Sequence, residues 1–246
     1  MHYILTKEDI YKGNLVLINQ KNHLQNKIDS KELVSYNFKY PDVLLQKVAH
    51  QKIQEIFKEL QIQDEFVPVS GYRTYQNQLD IFNTSIKDNG LDFTLKYVAY
   101  PDASEHQTGL AIDLGLNVEN VDFICPAFPH DHELCNKFRV TSLKYGFIER
   151  YQKDKEKITH ISSEEWHFRY IGYPHSTIMA EKKMCLEEYI TYLKKYEYPV
   201  NPLRYQNYQI AYLAYEANTL EIDSDNILEI SGNNIDGFII TWESGE

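Results

Sequence analysis

The chain has 246 residues, 36 of them acidic against 25 basic, for a formal net charge of −11. That length buries a large core without disulfide help, and the acidic balance excludes nucleic acid, which needs clustered Lys and Arg to displace counterions. The apolar run Leu15-Val16-Leu17-Ile18 is far too short for a membrane span of about 20 residues, and no longer run occurs elsewhere. A cytoplasmic chain without a membrane anchor is therefore expected. Cys125, Cys135 and Cys185 are odd in number and lack a Cys-x-x-Cys pair, which favours reduced thiols.

After an opening of short strands and turns, the apolar spacing from Pro41 to Leu60 predicts a helix with Pro41 in its first turn. Phe66 to Ser70 reads as a short strand broken by Gly71, and Thr74 as the cap of a second helix. Arg73 falls at that strand-to-helix junction. Leu110 to Leu116 reads as a buried strand with one carboxylate, Asp113. A helix from His132 to Tyr145 ending at Gly146, a strand from Phe147 to Tyr151 and an exposed loop from Gln152 to Lys157 follow. Glu165 to Ile171 reads as a strand and Pro174 to Tyr196 as one long helix. Turn residues at 223–226 and 232–234 divide the remainder into a small β-meander. The expected fold class is α+β: a mostly antiparallel central sheet with flanking helices over residues 1–196, and a C-terminal β-rich extension over 197–246.

Two segments carry chemistry. His106 lies seven residues before Asp113, with Gly109 between them, and Glu164-Glu165-Trp166-His167 adds a second imidazole and two more carboxylates. Two histidines and an aspartate suit Zn²⁺ with one position left open for water. A separate carboxylate must then move a proton, and Glu164 and Glu165 both offer one; a regular strand would put Glu165 on the face of His167. Arg73 is the candidate to stabilise charge on a carbonyl oxygen, because its fork holds two oxygens at once.

Ser-x-His-x-x-Gly-x-Ala-x-Asp (Ser104 to Asp113), Glu-x-Trp-His (Glu164 to His167) and Ser-Gly-Tyr-Arg (Ser70 to Arg73) resemble the zinc D,D-peptidase family. That family includes vancomycin-resistance D-Ala-D-Ala peptidases, D-Ala-D-Ala carboxypeptidases and some phage endolysins. The resemblance implies one Zn²⁺ per chain on His106, Asp113 and His167, with Glu164 as base and Arg73 as transition-state stabiliser. It also implies Gln78 and Ser104 at the substrate's terminal carboxylate, and D-Ala-D-Ala and peptidoglycan precursor peptides as substrates. Within the family, the bifunctional dipeptidase/carboxypeptidase kind is the nearest in character, and a monomer or homodimer is expected.

Two other readings share the motif: an L-Ala-D-Glu endopeptidase, and a non-catalytic binding module stabilised by zinc. Retention of Glu164 argues against the second, since a structural metal has no use for a base. Cys125, His130, His132 and Cys135 lie close in sequence, but their spacing and the intervening prolines favour a loop over a second metal site.

Overall fold

The computed structural model describes residues 1–217 and 219–244. The strands are β1 (His2–Leu5), β2 (Leu33–Asn37), β3 (Tyr40–Gln46), β4 (Phe66–Ser70), β5 (Ala111–Leu116), β6 (Phe147–Tyr151), β7 (Glu164–Tyr170), β8 (Leu203–Tyr205), β9 (Tyr208–Ala214), β10 (Leu220–Asp223), β11 (Ile227–Gly232) and β12 (Gly237–Glu243). The helices are α1 (Lys47–Glu59), α2 (Tyr75–Asn89), α3 (Leu91–Tyr97), α4 (Glu133–Lys144), α5 (Glu156–Thr159), α6 (His175–Lys182) and α7 (Leu186–Leu193). A short 3-10 turn, Glu105–Thr108, precedes β5.

The central sheet has strand order β4-β5-β7-β6, and all three of its pairings are antiparallel. Its core joins α1 and α4 to the sheet through edge-to-face aromatic rings, with Phe138 4.9 Å from Phe168 and 5.7 Å from Phe66. Such pairs add about 0.5–1.5 kcal/mol each beyond the area they bury. A second sheet, β11-β12-β9-β8, packs with α6 and α7 around Ile210 and Ile239. The apolar run Leu15 to Ile18 is buried, with Leu15 and Leu17 in that same core. Leu15 N donates to Ser231 Oγ at 2.8 Å and Leu17 N to the Asn233 carbonyl at 3.2 Å, and β1 pairs with β10. The N-terminal segment is thus built into the C-terminal extension.

Two predicted helices come out differently. Pro41 lies in strand β3, which forms a hairpin with β2, and α1 begins only at Lys47. The hairpin is set by Asn37, whose Oδ1 accepts from Lys39 N at 2.9 Å and Tyr40 N at 3.0 Å, an Asx turn that the apolar spacing does not reveal. The helix expected over Pro174 to Tyr196 is two helices. Lys183 adopts a left-handed conformation after α6, and Glu188 accepts from Cys185 N at 3.0 Å to open α7. The segment 152–157 forms a 3-10 turn and the start of α5 rather than an open loop, though most of it is exposed. Strands β4 and β6 and the Thr74 cap of α2 fall where the sequence puts them.

Candidate metal and catalytic site

The central sheet assembles the site by register. Asp113 on β5 stands opposite His167 on β7, and Ser70 on β4 stands opposite Asp113. His106 enters from the 3-10 turn. Gly109, at φ +68°, bends that turn into β5, and a side chain there would press on Leu33.

His106 Nδ1 lies 2.7 Å from the Gly71 carbonyl and donates to it, which leaves the Nε2 lone pair free, 3.1 Å from Asp113 Oδ2. Position 71 itself needs a glycine, because a Cβ there would sit 2.3 Å from the Leu44 carbonyl. His167 Nδ1 lies 2.9 Å from Asp113 Oδ1. One donor atom from each of His106, Asp113 and His167 falls within 4.8 Å of the others, and all three residues are buried. Burial and the nearby Arg73 push His106 down to about 4, so it is a neutral donor. Burial opposes charge on His167, yet the carboxylates of Asp113 and Glu105 lift it to about 9; burial also opposes charge on Asp113, and the two histidines hold that carboxyl well below the usual range. Two imidazoles and an anionic carboxylate converging in a buried pocket fit a zinc ion.

The choice between Glu164 and Glu165 turns on a register shift. Glu149 pairs with Phe168 but Tyr151 pairs with Glu164, so β7 carries extra residues between those pairs. The shift places Glu164 beside His167, with Oε2 3.8 Å from Nδ1, whereas Glu165 Oε1 lies 3.8 Å from His130. Burial first, and then the Asp113 charge, raise the Glu164 carboxyl to about 8.

Arg73 donates from NH2 to Asp113 Oδ2 at 3.1 Å, from Nε to Ser70 Oγ at 2.9 Å and from NH1 to Gln78 Oε1 at 3.3 Å. Gln78 is itself buried and donates to the Ala99 carbonyl at 2.8 Å. A cavity of about 380 Å³ has Arg73, Gln78, Ser104, Glu164 and the three donor residues in its wall. Trp166 both lines this cavity and packs against the aromatic core.

Two site residues escaped the sequence reading. Tyr151 lines the cavity with its ring centroid 4.9 Å from that of His167, and Glu105 is buried behind His167. Glu105 neighbours His106 in the motif, and that adjacency is the signal that could have drawn attention to it. The Cys125–Cys135 segment gathers no donors. His132 caps α4, Cys135 is in the core, His130 lies beside Glu149, and among the described residues only His106, Asp113 and His167 form a metal-capable group.

A neutral imidazole, a second imidazole, a carboxylate and a separate buried glutamate in one cleft are the equipment of a metallohydrolase. Comparison with known proteins narrows the class. Residues 42–173 match the VanY D-alanyl-D-alanine carboxypeptidase family model. The chain is 42% identical over 182 residues to the bifunctional D-Ala-D-Ala dipeptidase and D-Ala-D-Ala carboxypeptidase VanXYC of Enterococcus gallinarum, covering 74% of this chain and 95% of that one. Its structure superposes on the vancomycin-resistance D,D-dipeptidase VanXYg, solved in complex with a D-Ala-D-Ala phosphinate analog. The TM-score is 0.94 and the identity 44%, over 99% of this chain and 98% of that one. A point mutant of the D,D-pentapeptidase VanY from a VanB-type resistance cassette, solved in complex with Zn(II), matches at TM-score 0.57 and 28% identity over 72% of this chain and 98% of that one. The chain belongs to the VanY family of D-alanyl-D-alanine carboxypeptidases.

Proposed function

We propose that this chain is a cytoplasmic zinc D,D-peptidase that hydrolyses free D-Ala-D-Ala and also removes the terminal D-Ala from peptidoglycan pentapeptide precursors. Vancomycin resistance would follow from loss of precursors ending in D-Ala. The observation that carries this reading is the convergence of His106, Asp113 and His167 beside buried Glu164, in a chain 42% identical to a bifunctional enzyme. Cysteines that form no disulfide support a reducing compartment. Residues 1–196 are read as the catalytic unit and 197–246 as a β-rich extension; the family match over 42–173 falls inside the former, while strand β1 pairs into the latter.

His106, Asp113 and His167 would hold one Zn²⁺. When bound, the ion supplies Lewis acidity and lowers the pKa of a water to about 7. Glu164 takes a proton from the attacking water as the new C–O bond forms, and returns it to the amine nitrogen as the C–N bond breaks. A carboxyl lifted by burial is matched to that two-way transfer. Arg73 stabilises the charge that grows on the carbonyl oxygen, held in place by Ser70, Gln78 and Asp113. Ser104 and Gln78, both in the cavity wall, would receive the substrate's terminal carboxylate.

The test is D-Ala release from D-Ala-D-Ala and from a muramyl pentapeptide by zinc-loaded protein, run beside Glu164→Ala. Both substrates should be cleaved by the wild type, and the variant should bind zinc yet lose about 10²–10⁴-fold in rate. A zinc-loaded wild type that releases D-Ala from neither would overturn the proposal.

A further inference from the structure

The two histidines of the site are oriented by different means. His106 uses a backbone carbonyl, that of Gly71, whereas His167 has a carboxylate facing each ring nitrogen. Its Nδ1 is 2.9 Å from Asp113 Oδ1, and its Nε2 is 3.5 Å from Glu105 Oε2. That second distance is long for a hydrogen bond, yet both atoms are fully buried and neither has another partner. Leaving them apart would impose the full desolvation penalty on each.

We propose that Glu105 is a positioning residue of the metal centre. Its carboxylate accepts the Nε2 proton of His167, which leaves Nδ1, on the side of Asp113, as the atom that would meet the metal. This rests on the zinc reading above. With no metal bound, the two carboxylates face a proton on each nitrogen of this ring; a metal taken up at Nδ1 would displace the proton there, and Glu105 would keep the other at Nε2.

Glu105 is itself held rigidly. Its Oε1 lies 2.8 Å from Arg150 Nε and 3.0 Å from Arg169 NH1, and all three side chains have 0% exposure. Arg150 continues to Glu187 on α7 at 2.8 and 3.0 Å, and Arg169 NH2 donates to the carbonyls of Asn14 and Val16 at 2.9 and 3.1 Å. The His167 ring is therefore aimed by α7 and the N-terminal segment as well as by its own sheet. No substrate-facing role is needed for any of these charges.

Two measurements test the assignment. Nitrogen-15 imidazole NMR of the zinc-loaded wild type should show His167 protonated at Nε2 and metal-bound at Nδ1; the opposite tautomer overturns the inference and requires no variant to fold. Competition with a chromophoric chelator should show Glu105→Gln binding zinc about 10- to 100-fold more weakly. Wild-type affinity in that variant would sink the positioning role while leaving the zinc reading intact. A wild type that binds no zinc at all would bring down both.

Discussion

The central sheet and the C-terminal sheet are both four-stranded, antiparallel and closely packed, but they bury polar groups of opposite kinds. Behind and within the central sheet lie Glu105, Asp113, Arg150, Glu164 and Arg169, five ionisable side chains in or beside one site. In the C-terminal sheet and its turns the most deeply buried polar side chains among the described residues are neutral, namely Ser231, Asn233, Asn234 and Thr241, and burial pushes the Glu229 carboxyl on β11 up to about 7, toward its own neutral form beside Asn14. The Asn233 side-chain oxygen accepts from the backbone N–H groups of Ile235, Asp236 and Gly237, and Asn234 Nδ2 donates to the Leu17 carbonyl at 3.0 Å. His175 joins α6 to this layer as a neutral ring, 2.8 Å from the Tyr189 hydroxyl and 3.0 Å from Thr241 Oγ1. Burying charge costs several kcal/mol per ion unless it is paired, whereas a hydrogen-bonded neutral group costs little. Charge is concentrated around the candidate metal and catalytic site, and the second sheet is tied together mainly by neutral hydrogen bonds.

Substitutions in the two regions should separate accordingly. The largest effect is expected from His106→Ala, which removes a donor from the charged region; metal content after dialysis should fall to background, and hydrolysis with it. Stoichiometric zinc in that variant would contradict the ligand set. Next comes Arg73→Lys, which keeps the charge but loses the three-way fork to Ser70, Gln78 and Asp113. We expect kcat/KM to drop about 10²–10³-fold with zinc retained, as for loss of one oxyanion donor. Unchanged kinetics would remove Arg73 from the reaction.

The smallest effect belongs to the neutral region and appears as pH dependence of stability. Burial depresses His175 to about 3 from an ordinary 6.5. Between those values the unfolded chain binds a proton that the folded one refuses, so stability falls as pH drops below about 6.5. The limiting slope is about 1.4 kcal/mol per pH unit. Urea unfolding at pH 7 and pH 5 should show His175→Gln losing about 1–2 kcal/mol less than the wild type, with His106 and the other buried groups acting alike in both proteins. An identical pH response in both proteins would place the titration elsewhere.

How much of this was legible in the chain differs by element. Phe66 to Ser70 and Phe147 to Tyr151 were readable as strands because turn residues bound them, and Thr74 announced its helix. Pro41 to Gln46 was not, since adjacent apolar pairs satisfy helical and strand periods alike and the deciding Asn37 turn lies outside the run. The break at Lys183 lacks the Gly or Pro that would have marked it.

The sequence by itself determined the chemistry available: two imidazoles, an aspartate, a glutamate and an arginine at spacings that belong to a D,D-peptidase motif. Tertiary structure alone decided which of two adjacent glutamates faces the site, because that depends on a register shift between β6 and β7. It also decided what lies behind His167. Glu105, Arg150 and Arg169 come from separate segments, and only the folded chain brings them together, where burial makes each charge require the others.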